Sequence, residues 1–153
     1  MERNTIEGAL QEYFAIEELV CPHTFKKFGA TSWKFLDTSI LEVLFALRTQ
    51  ILKVPLVCNT YKKNPAAKGV FSQRGLRCNC CELVKNKKDV YLSAHVLGKG
   101  LDLQSPKMDA ETMRKKIEEL QHLLPHGVRI ERDVRWLHID TLNKNKGIVY
   151  FNG

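Results

Sequence analysis

The chain has 153 residues, of which 44% are hydrophobic and 27% are charged, and its formal net charge at pH 7 is +7. This length suits a single domain with one hydrophobic core, and the composition excludes a disordered or fibrous protein. No stretch approaches the roughly 18 consecutive apolar residues of a transmembrane helix, so we expect no membrane span. The first residues include acidic side chains and no apolar signal core, so we expect synthesis in the cytoplasm without a visible signal peptide.

Two segments have the apolar periodicity of buried helices. The first, TSILEVLFALRTQIL at residues 38–52, begins with Thr38 or Ser39 as its candidate N-cap. The second, DAETMRKKIEELQHLLP at residues 109–125, has Asp109 as its candidate N-cap and ends at a proline. Both apolar stripes are typical of a protein core and do not indicate a ligand site.

Strands are predicted for five short segments, at residues 54–59, 100–103, 127–131, 136–140 and 147–151. Helices and strands in this order favour an α+β fold, with a mostly antiparallel sheet flanked by helices and residues 1–153 forming one domain. The segment between residues 60 and 88 is rich in Lys, Asn and Gly, and connections of this length are often functional.

The stretch SAHVLGKGLDL contains His95 and Asp102, with Gly98 and Gly100 between them. A turning strand with a structural histidine would explain this stretch by itself. In WLHID, however, His138 alternates with apolar neighbours, so neighbouring strands would bring the two histidines and the aspartate together on one face of the sheet. Two imidazoles and one carboxylate suit Zn²⁺ and leave its fourth position for water.

Two acidic residues accompany the second histidine. Glu131 precedes His138 by seven residues and can approach the same site across a bend, which makes it the candidate general base for a zinc-bound water. Asp140 follows His138 by two residues. It either orients a ligand histidine by a hydrogen bond or closes the strand as a polar residue.

The two segments resemble those of a known family. SAHVLGKGLDL resembles the S-x-H-x-x-G-x-A-x-D signature of the zinc D-Ala-D-Ala peptidase family, which shares its fold with the hedgehog signalling domain, with Gly100 in place of the usual alanine. IERDVRWLHID resembles the family's second segment, in which a glutamate precedes W-[VL]-H-[VI]-[DS]. Upstream, YFAIEELVC and ILEVLFALRTQILKVPLVCNTY are similar to segments of phage and bacterial members. The resemblance covers nearly the whole chain in the family's order.

The resemblance implies roles for individual residues. The zinc ligands would be His95, Asp102 and His138. Glu131 would be the catalytic acid and base. An arginine before the first histidine would contact the substrate, and we favour Arg74 over Arg77, although the family's S-G-Y-R form is not preserved. Ser93 would donate a hydrogen bond to the substrate or to the site, or else cap a turn.

The resemblance also implies a function. The chain would be a zinc metallopeptidase, a D,D-carboxypeptidase or a cell-wall endopeptidase, that hydrolyses peptidoglycan stem peptides or cross-links. We expect a monomer that acts on the cell wall once released, as phage or prophage lysis enzymes are, and the basic charge would favour an anionic wall. The alternative is a non-catalytic, hedgehog-like zinc-binding module that binds cell wall or a protein partner. The presence of Glu131 argues against that alternative.

The cysteines do not form an evident pattern. Five cysteines without an export signal favour reduced thiols over disulfides. RCNCCELVK would offer thiolates to a soft metal ion, but its C-x-C-C order does not have the pairing of structural zinc sites, so we predict partly buried free thiols. A basic nucleic-acid binder built on this segment would need a recognisable motif with aromatic residues, so we expect no nucleic-acid partner. Three further histidines are predicted to be surface residues: His23, His122 and His126.

Overall fold

The computed structural model describes residues 1–60 and 71–153. These residues form a single α+β domain with five α-helices and one four-stranded sheet. The helices α1 to α5 span Arg3–Leu10, Ile16–Leu19, Pro22–Phe28, Thr38–Ala46 and Ala110–Glu119. The strands β1 to β4 span Gly100–Leu103, Val128–Glu131, Leu137–Asp140 and Ile148–Phe151. Residues 61–70 of the predicted long loop lie outside the described residues. None of the described helices is long and apolar enough to cross a membrane.

The sheet is mixed, with the strand order β1-β3-β2-β4. The pairs β1–β3 and β2–β3 are antiparallel, as predicted, but β2 and β4 are parallel. The chain leaves the central strand β3, turns back through Gly147 at φ +89°, and returns on the far side of β2. Because β2 and β4 both run opposite to β3, they are parallel to each other. Two of the three strand pairs are therefore antiparallel, in agreement with the prediction of a mostly antiparallel sheet, and the pairing of β4 makes the sheet mixed.

The predicted strand at residues 54–59 is wrong. Only Val57 pairs with another segment in the manner of a strand, through an isolated antiparallel bridge to Gln104. Pro55 has no backbone N–H to give to a ladder, and the N–H of Asn59 bonds instead to the carbonyl of Glu18. The segment crosses the molecule as an irregular connection.

Helix α4 lies in the core, as its apolar sequence predicts, and its residues Ile40, Leu41, Val43 and Leu44 are fully buried. Its N-cap is Asp37, whose carboxylate accepts the N–H of Ser39 at 2.9 Å, and not Thr38 or Ser39 as predicted. The helix continues into a π-helical turn at Leu47–Ile51.

Helix α5 begins as predicted, because the Asp109 carboxylate accepts the N–H of Thr112 at 2.7 Å. It ends at Glu119, before the predicted end, and a short 3-10 turn follows. The buried side chain of Arg114 donates hydrogen bonds at 3.1 Å to the carbonyls of Trp136 and Val134. Helix α5 thereby holds the connection between β2 and β3 that leads into the candidate site.

Candidate metal centre

Strand pairing brings the predicted ligands together. In the antiparallel pair β1–β3, Asp102 lies directly opposite His138, while His95 lies in the turn just before β1. One side-chain ligand atom from each of the three residues lies within 4.8 Å of the other two. The convergence expected from the two sequence segments is therefore observed.

The Asp102 carboxylate lies between the two imidazole rings. Its Oδ1 is 2.8 Å from Nδ1 of His138, and its Oδ2 is 3.3 Å from Nε2 of His95. The ring centroids of the two histidines are 5.2 Å apart. All three side chains are buried, with exposures of 4% for His95, 6% for Asp102 and 7% for His138. Three potential ligand atoms thus lie close together in side chains that are almost entirely buried.

The outward-facing nitrogen of each histidine has its own partner. Nδ1 of His95 donates to the carbonyl of Gly75 at 2.9 Å, and Nε2 of His138 donates to Asp140 at 2.9 Å. Arg129 in turn donates two hydrogen bonds of 2.9 Å to the Asp140 carboxylate. These bonds fix the ring orientations and direct Nε2 of His95 and Nδ1 of His138 toward Asp102. Of the two roles considered for Asp140, the structure favours orientation of His138.

Asp102 and His138 stabilise each other's charged forms. Burial alone would raise the pKa of Asp102, but hydrogen bonds from His138 and His95 outweigh it and hold that pKa below its usual range. Burial alone would lower the pKa of His138, but hydrogen bonds to Asp102 and Asp140 raise it to about 9. A metal cation would therefore meet an ionised carboxylate and would displace a proton from His138.

The donor set fits zinc. Two imidazole nitrogens and one carboxylate oxygen are ligands that catalytic zinc sites use, and three protein ligands leave one position open. The carbonyl of Gly75 and the carboxylate of Asp140 supply the outer hydrogen bonds that orient histidine ligands in such sites.

The three side chains line a cavity of about 390 Å³ that also contains Glu131. Glu131 is the last residue of β2, opposite Phe151 of β4, and is partly exposed. The backbone of Gly153 lies against its carboxylate, since a Cβ atom at Gly153 would be 2.0 Å from Oε1 of Glu131. The candidate base is therefore in the same cavity as the candidate ligands.

The two candidate arginines occupy different positions. Arg77 lines the cavity of the three side chains, and its Nη2 is 3.6 Å from Oδ2 of Asp102. Arg74 lines a second cavity of about 300 Å³, which shares Arg77, Asp102 and Trp136 with the first. The Arg74 guanidinium stacks over Phe71, 3.5 Å from the ring centroid. Its buried Nη1 has no hydrogen-bond partner among the described residues.

The hydroxyl of Ser93 accepts the backbone N–H of Val96 at 3.3 Å, so it caps the turn that carries His95. Ser93 also lines the cavity. The two roles considered for Ser93 are therefore compatible, and the structure shows the turn-capping contact directly.

Sequence reasoning did not assign roles to two aromatic residues in the cavity. The Phe151 ring packs edge-on against His138, with centroids 5.5 Å apart, and the buried Nε1 of Trp136 has no partner among the described residues. Trp136 could have been found, because it alternates with His138 on one strand face. Phe151 could not, because its place depends on the parallel pairing of β4 with β2.

A second group of potential ligands lies outside this cavity. Its ligand atoms, all within 4.8 Å of one another, belong to Cys21, His23, Cys78 and Cys81. The predictions of partly buried free thiols and of a surface His23 are confirmed, since Cys21 and Cys81 are buried, Cys78 is half-buried and His23 is exposed. That these side chains meet was not predicted, because the intervening Cys80 obscures the C-x-x-C spacing of Cys78 and Cys81. All five cysteines are free.

His126, which was predicted to be a surface residue, is half-buried and bonds to Glu42.

Comparisons of the chain with protein-family models, with curated proteins and with solved structures found no match.

Proposed function

We propose that the chain is a zinc-dependent peptidase that hydrolyses peptide bonds in peptidoglycan stem peptides or cross-links. The observation that carries this proposal is the position of Glu131 in the same cavity as His95, Asp102 and His138. A three-ligand set of this kind, with a carboxylate beside it, is the arrangement of zinc hydrolases. The resemblance of the two segments to zinc D-Ala-D-Ala peptidases supplies the substrate class.

The chain would hold zinc through Nε2 of His95, the carboxylate of Asp102 and Nδ1 of His138. Zinc supplies electrophilic activation of a carbonyl and lowers the pKa of a bound water to about 7. Gly75 and Asp140 keep each imidazole turned toward the site, so little reorganisation is needed on binding.

Glu131 would move the protons of the reaction. Its carboxylate would take a proton from the attacking water and pass it to the amine that leaves when the peptide bond breaks. Its position at the end of β2 is fixed by pairing with Phe151 and by the Arg114 side chain, whose Nη1 is 3.5 Å from the Glu131 carbonyl. The residue thus lies on the sheet, which holds it more rigidly than a loop would.

Cationic and hydrogen-bonding groups beside the ligands would bind the peptide. Arg77 is close to Asp102 in the first cavity, and Arg74 extends the positive charge into the second. The unpartnered Nε1 of Trp136 is a donor for a substrate carbonyl or carboxylate. Stem peptides of peptidoglycan offer both groups. The net charge of +7 would favour association with an anionic wall.

The test is the release of peptide fragments from purified peptidoglycan, measured by mass spectrometry, with wild type, Glu131→Gln and Glu119→Gln. Glu119 is exposed and lies outside the cavity, so its variant is the matched control. We expect Glu131→Gln to bind zinc like wild type and to cleave about 10²- to 10⁴-fold more slowly. Cleavage that survives Glu131→Gln would overturn the assignment of the base. Zinc binding without cleavage in wild type would favour the non-catalytic binding module.

A further inference from the structure

We propose that the second ligand group is a structural zinc site, separate from the candidate catalytic centre. Its four ligands would be Cys21, His23, Cys78 and Cys81. Bound zinc would hold the segment of residues 74–81 against the start of helix α3 and would thereby fix the position of groups that contact His95.

The distances among the ligand atoms of His23, Cys78 and Cys81 are close to those around a tetrahedral ion, and Sγ of Cys21 lies within 4.8 Å of all three. With Zn–S near 2.3 Å and Zn–N near 2.0 Å, tetrahedral angles place two sulfurs about 3.8 Å apart and a sulfur and a nitrogen about 3.5 Å apart. The Sγ atoms of Cys78 and Cys81 are 3.9 Å apart. Nδ1 of His23 is 3.7 Å from Sγ of Cys78 and 3.8 Å from Sγ of Cys81. The sulfur separation is far from the roughly 2.05 Å of a disulfide.

Backbone hydrogen bonds join the two segments that carry these ligands. The N–H of Cys21 donates to the carbonyl of Leu76 at 2.9 Å, and the N–H of Leu76 donates to Leu19 at 2.9 Å. Cys78 and Cys81 lie in a tight turn in which the N–H of Cys80 points at Sγ of Cys78, 3.3 Å away. An N–H directed at a sulfur stabilises a thiolate, the form that binds metal.

The ligand types distinguish this site from the first. Three thiolates and one imidazole form a closed tetrahedral set of the kind that structural zinc sites use, whereas the first site has three ligands and an open position. Cys21 and Cys81 are 0% and 1% exposed. The other cysteines do not contribute, since Cys58 is buried elsewhere and Cys80 is exposed.

The segment between the two sites connects them. Gly75 accepts the hydrogen bond of the His95 ring, the N–H of Arg77 donates to the carbonyl of His95 at 3.2 Å, and the carbonyl of Arg74 accepts the N–H of Asp102 at 2.8 Å. Cys78 follows Arg77 directly. Zinc at the second site would therefore position the backbone that orients His95 and places Arg77 beside Asp102.

Cobalt substitution tests the site spectroscopically. Co²⁺ bound to thiolates gives an intense near-ultraviolet charge-transfer absorption, which histidine and carboxylate ligands do not give. We expect this band in the reduced wild type, in Cys80→Ser and in His138→Ala, and we expect its loss in the double variant Cys78→Ser with Cys81→Ser. Absence of the band in reduced wild type, or its persistence in the double variant, would overturn the proposal.

Alkylation of wild type tests the same claim if the cysteine variants fail to fold. In the metal-free, reduced protein the half-buried Cys78 and the exposed Cys80 should both react with iodoacetamide. With saturating zinc, Cys78 should be protected at least about tenfold, while Cys80 should react as before. Mass spectrometry of the peptides measures both residues in one sample. Equal reaction of Cys78 with and without zinc would contradict the assignment.

Metal content separates this proposal from the proposed function. We expect about two zinc ions per wild-type chain and about one in either His138→Ala or the double cysteine variant. Zinc that is unchanged in the double cysteine variant but lost in His138→Ala would overturn the structural site and leave the peptidase proposal intact. A zinc content that falls in the double cysteine variant but is unchanged in His138→Ala would overturn the catalytic centre alone.

Discussion

At the scale of single residues, the candidate centre depends on partners beyond the ligands themselves. Asp140 is fully buried, and it accepts hydrogen bonds from His138 and from Arg129. The alternation of His138 and Asp140 on one strand was evident from the sequence, as was the spacing of His95 and Asp102. The carbonyl of Gly75 as partner of His95 could not be predicted, because any residue provides a carbonyl and only the path of the chain decides which one is near.

Replacing Asp140 by Asn should weaken zinc binding at the first site. The amide keeps the shape of the side chain but accepts the hydrogen bond of His138 less strongly, so we expect zinc affinity to fall about 10- to 100-fold. Competition with a chromophoric chelator measures the affinity, and Asp89→Asn, at an exposed position, is the control. Unchanged affinity in Asp140→Asn would show that this hydrogen bond does not orient the ligand.

Gly100→Ala should destabilise the fold, although the family signature has alanine at this position. A Cβ atom there would be 2.7 Å from Cβ of Ala94 and 3.3 Å from Cβ of Asp140. We expect a loss of about 1–3 kcal/mol in the free energy of unfolding, measured with denaturant. Ala94→Gly combined with Gly100→Ala should recover part of the loss. A Gly100→Ala variant as stable as wild type would contradict the crowding inferred at this turn.

Glu18 should make stability depend on pH. Burial raises its pKa from 4.5 to about 7, against the opposing effect of the Ala15 N–H that it accepts. The folded state holds the Glu18 proton more tightly than the unfolded state does. The contribution of this proton to the free energy of unfolding is therefore complete below pH 4.5 and is lost as the pH rises to about 7. Glu18→Gln should remove this dependence and stabilise the protein at pH 8 by up to about 3 kcal/mol.

Denaturant unfolding at several pH values measures the Glu18 effect. Glu12→Gln, at an exposed position, is the matched control and should keep the wild-type pH profile. If Glu18→Gln loses stability between pH 4.5 and 7 as steeply as wild type does, Glu18 is not the titrating group.

At the scale of elements, the spacing of apolar residues and the capping residues predicted the centres of helices α4 and α5 and the strands β1, β2, β3 and β4. They predicted the start of α5 and the bounds of β1 but not the start of α4, where the N-cap is Asp37, or the end of α5, which lies before the predicted proline. The parallel pairing of β4 with β2 could not be predicted either. Alternation of apolar and polar residues shows which face of a strand is buried, but it does not show which strand lies next to it.

Arg114 on α5 should stabilise the fold by holding the connection between β2 and β3 against the helix. It is 7% exposed and donates to carbonyls in the connection between β2 and β3. Arg114→Ala should leave these carbonyls unsatisfied and lower the free energy of unfolding by about 2–3 kcal/mol. Lys115→Ala, at the exposed neighbouring position, should change it by less than about 0.5 kcal/mol. Equal stability of the two variants would contradict this role of Arg114.

At the scale of the whole molecule, the two ligand groups lie at the two ends of one connecting segment. The first group could be predicted, because each half is a compact motif on a strand or turn. The second was missed, because His23 and Cys78 are 55 residues apart and meet only when the N-terminal helices pack on the segment of residues 74–81. Packing of distant segments completes that site, so the C-x-x-C spacing of Cys78 and Cys81 reveals only half of it.

The most direct test of the first centre is anomalous diffraction from crystals grown with zinc, with data on both sides of the zinc absorption edge. We expect an anomalous peak at tetrahedral bonding distances, about 2.0–2.2 Å, from Nε2 of His95, the Asp102 carboxylate and Nδ1 of His138. A zinc-loaded crystal with no peak among these three side chains would contradict the proposed catalytic centre.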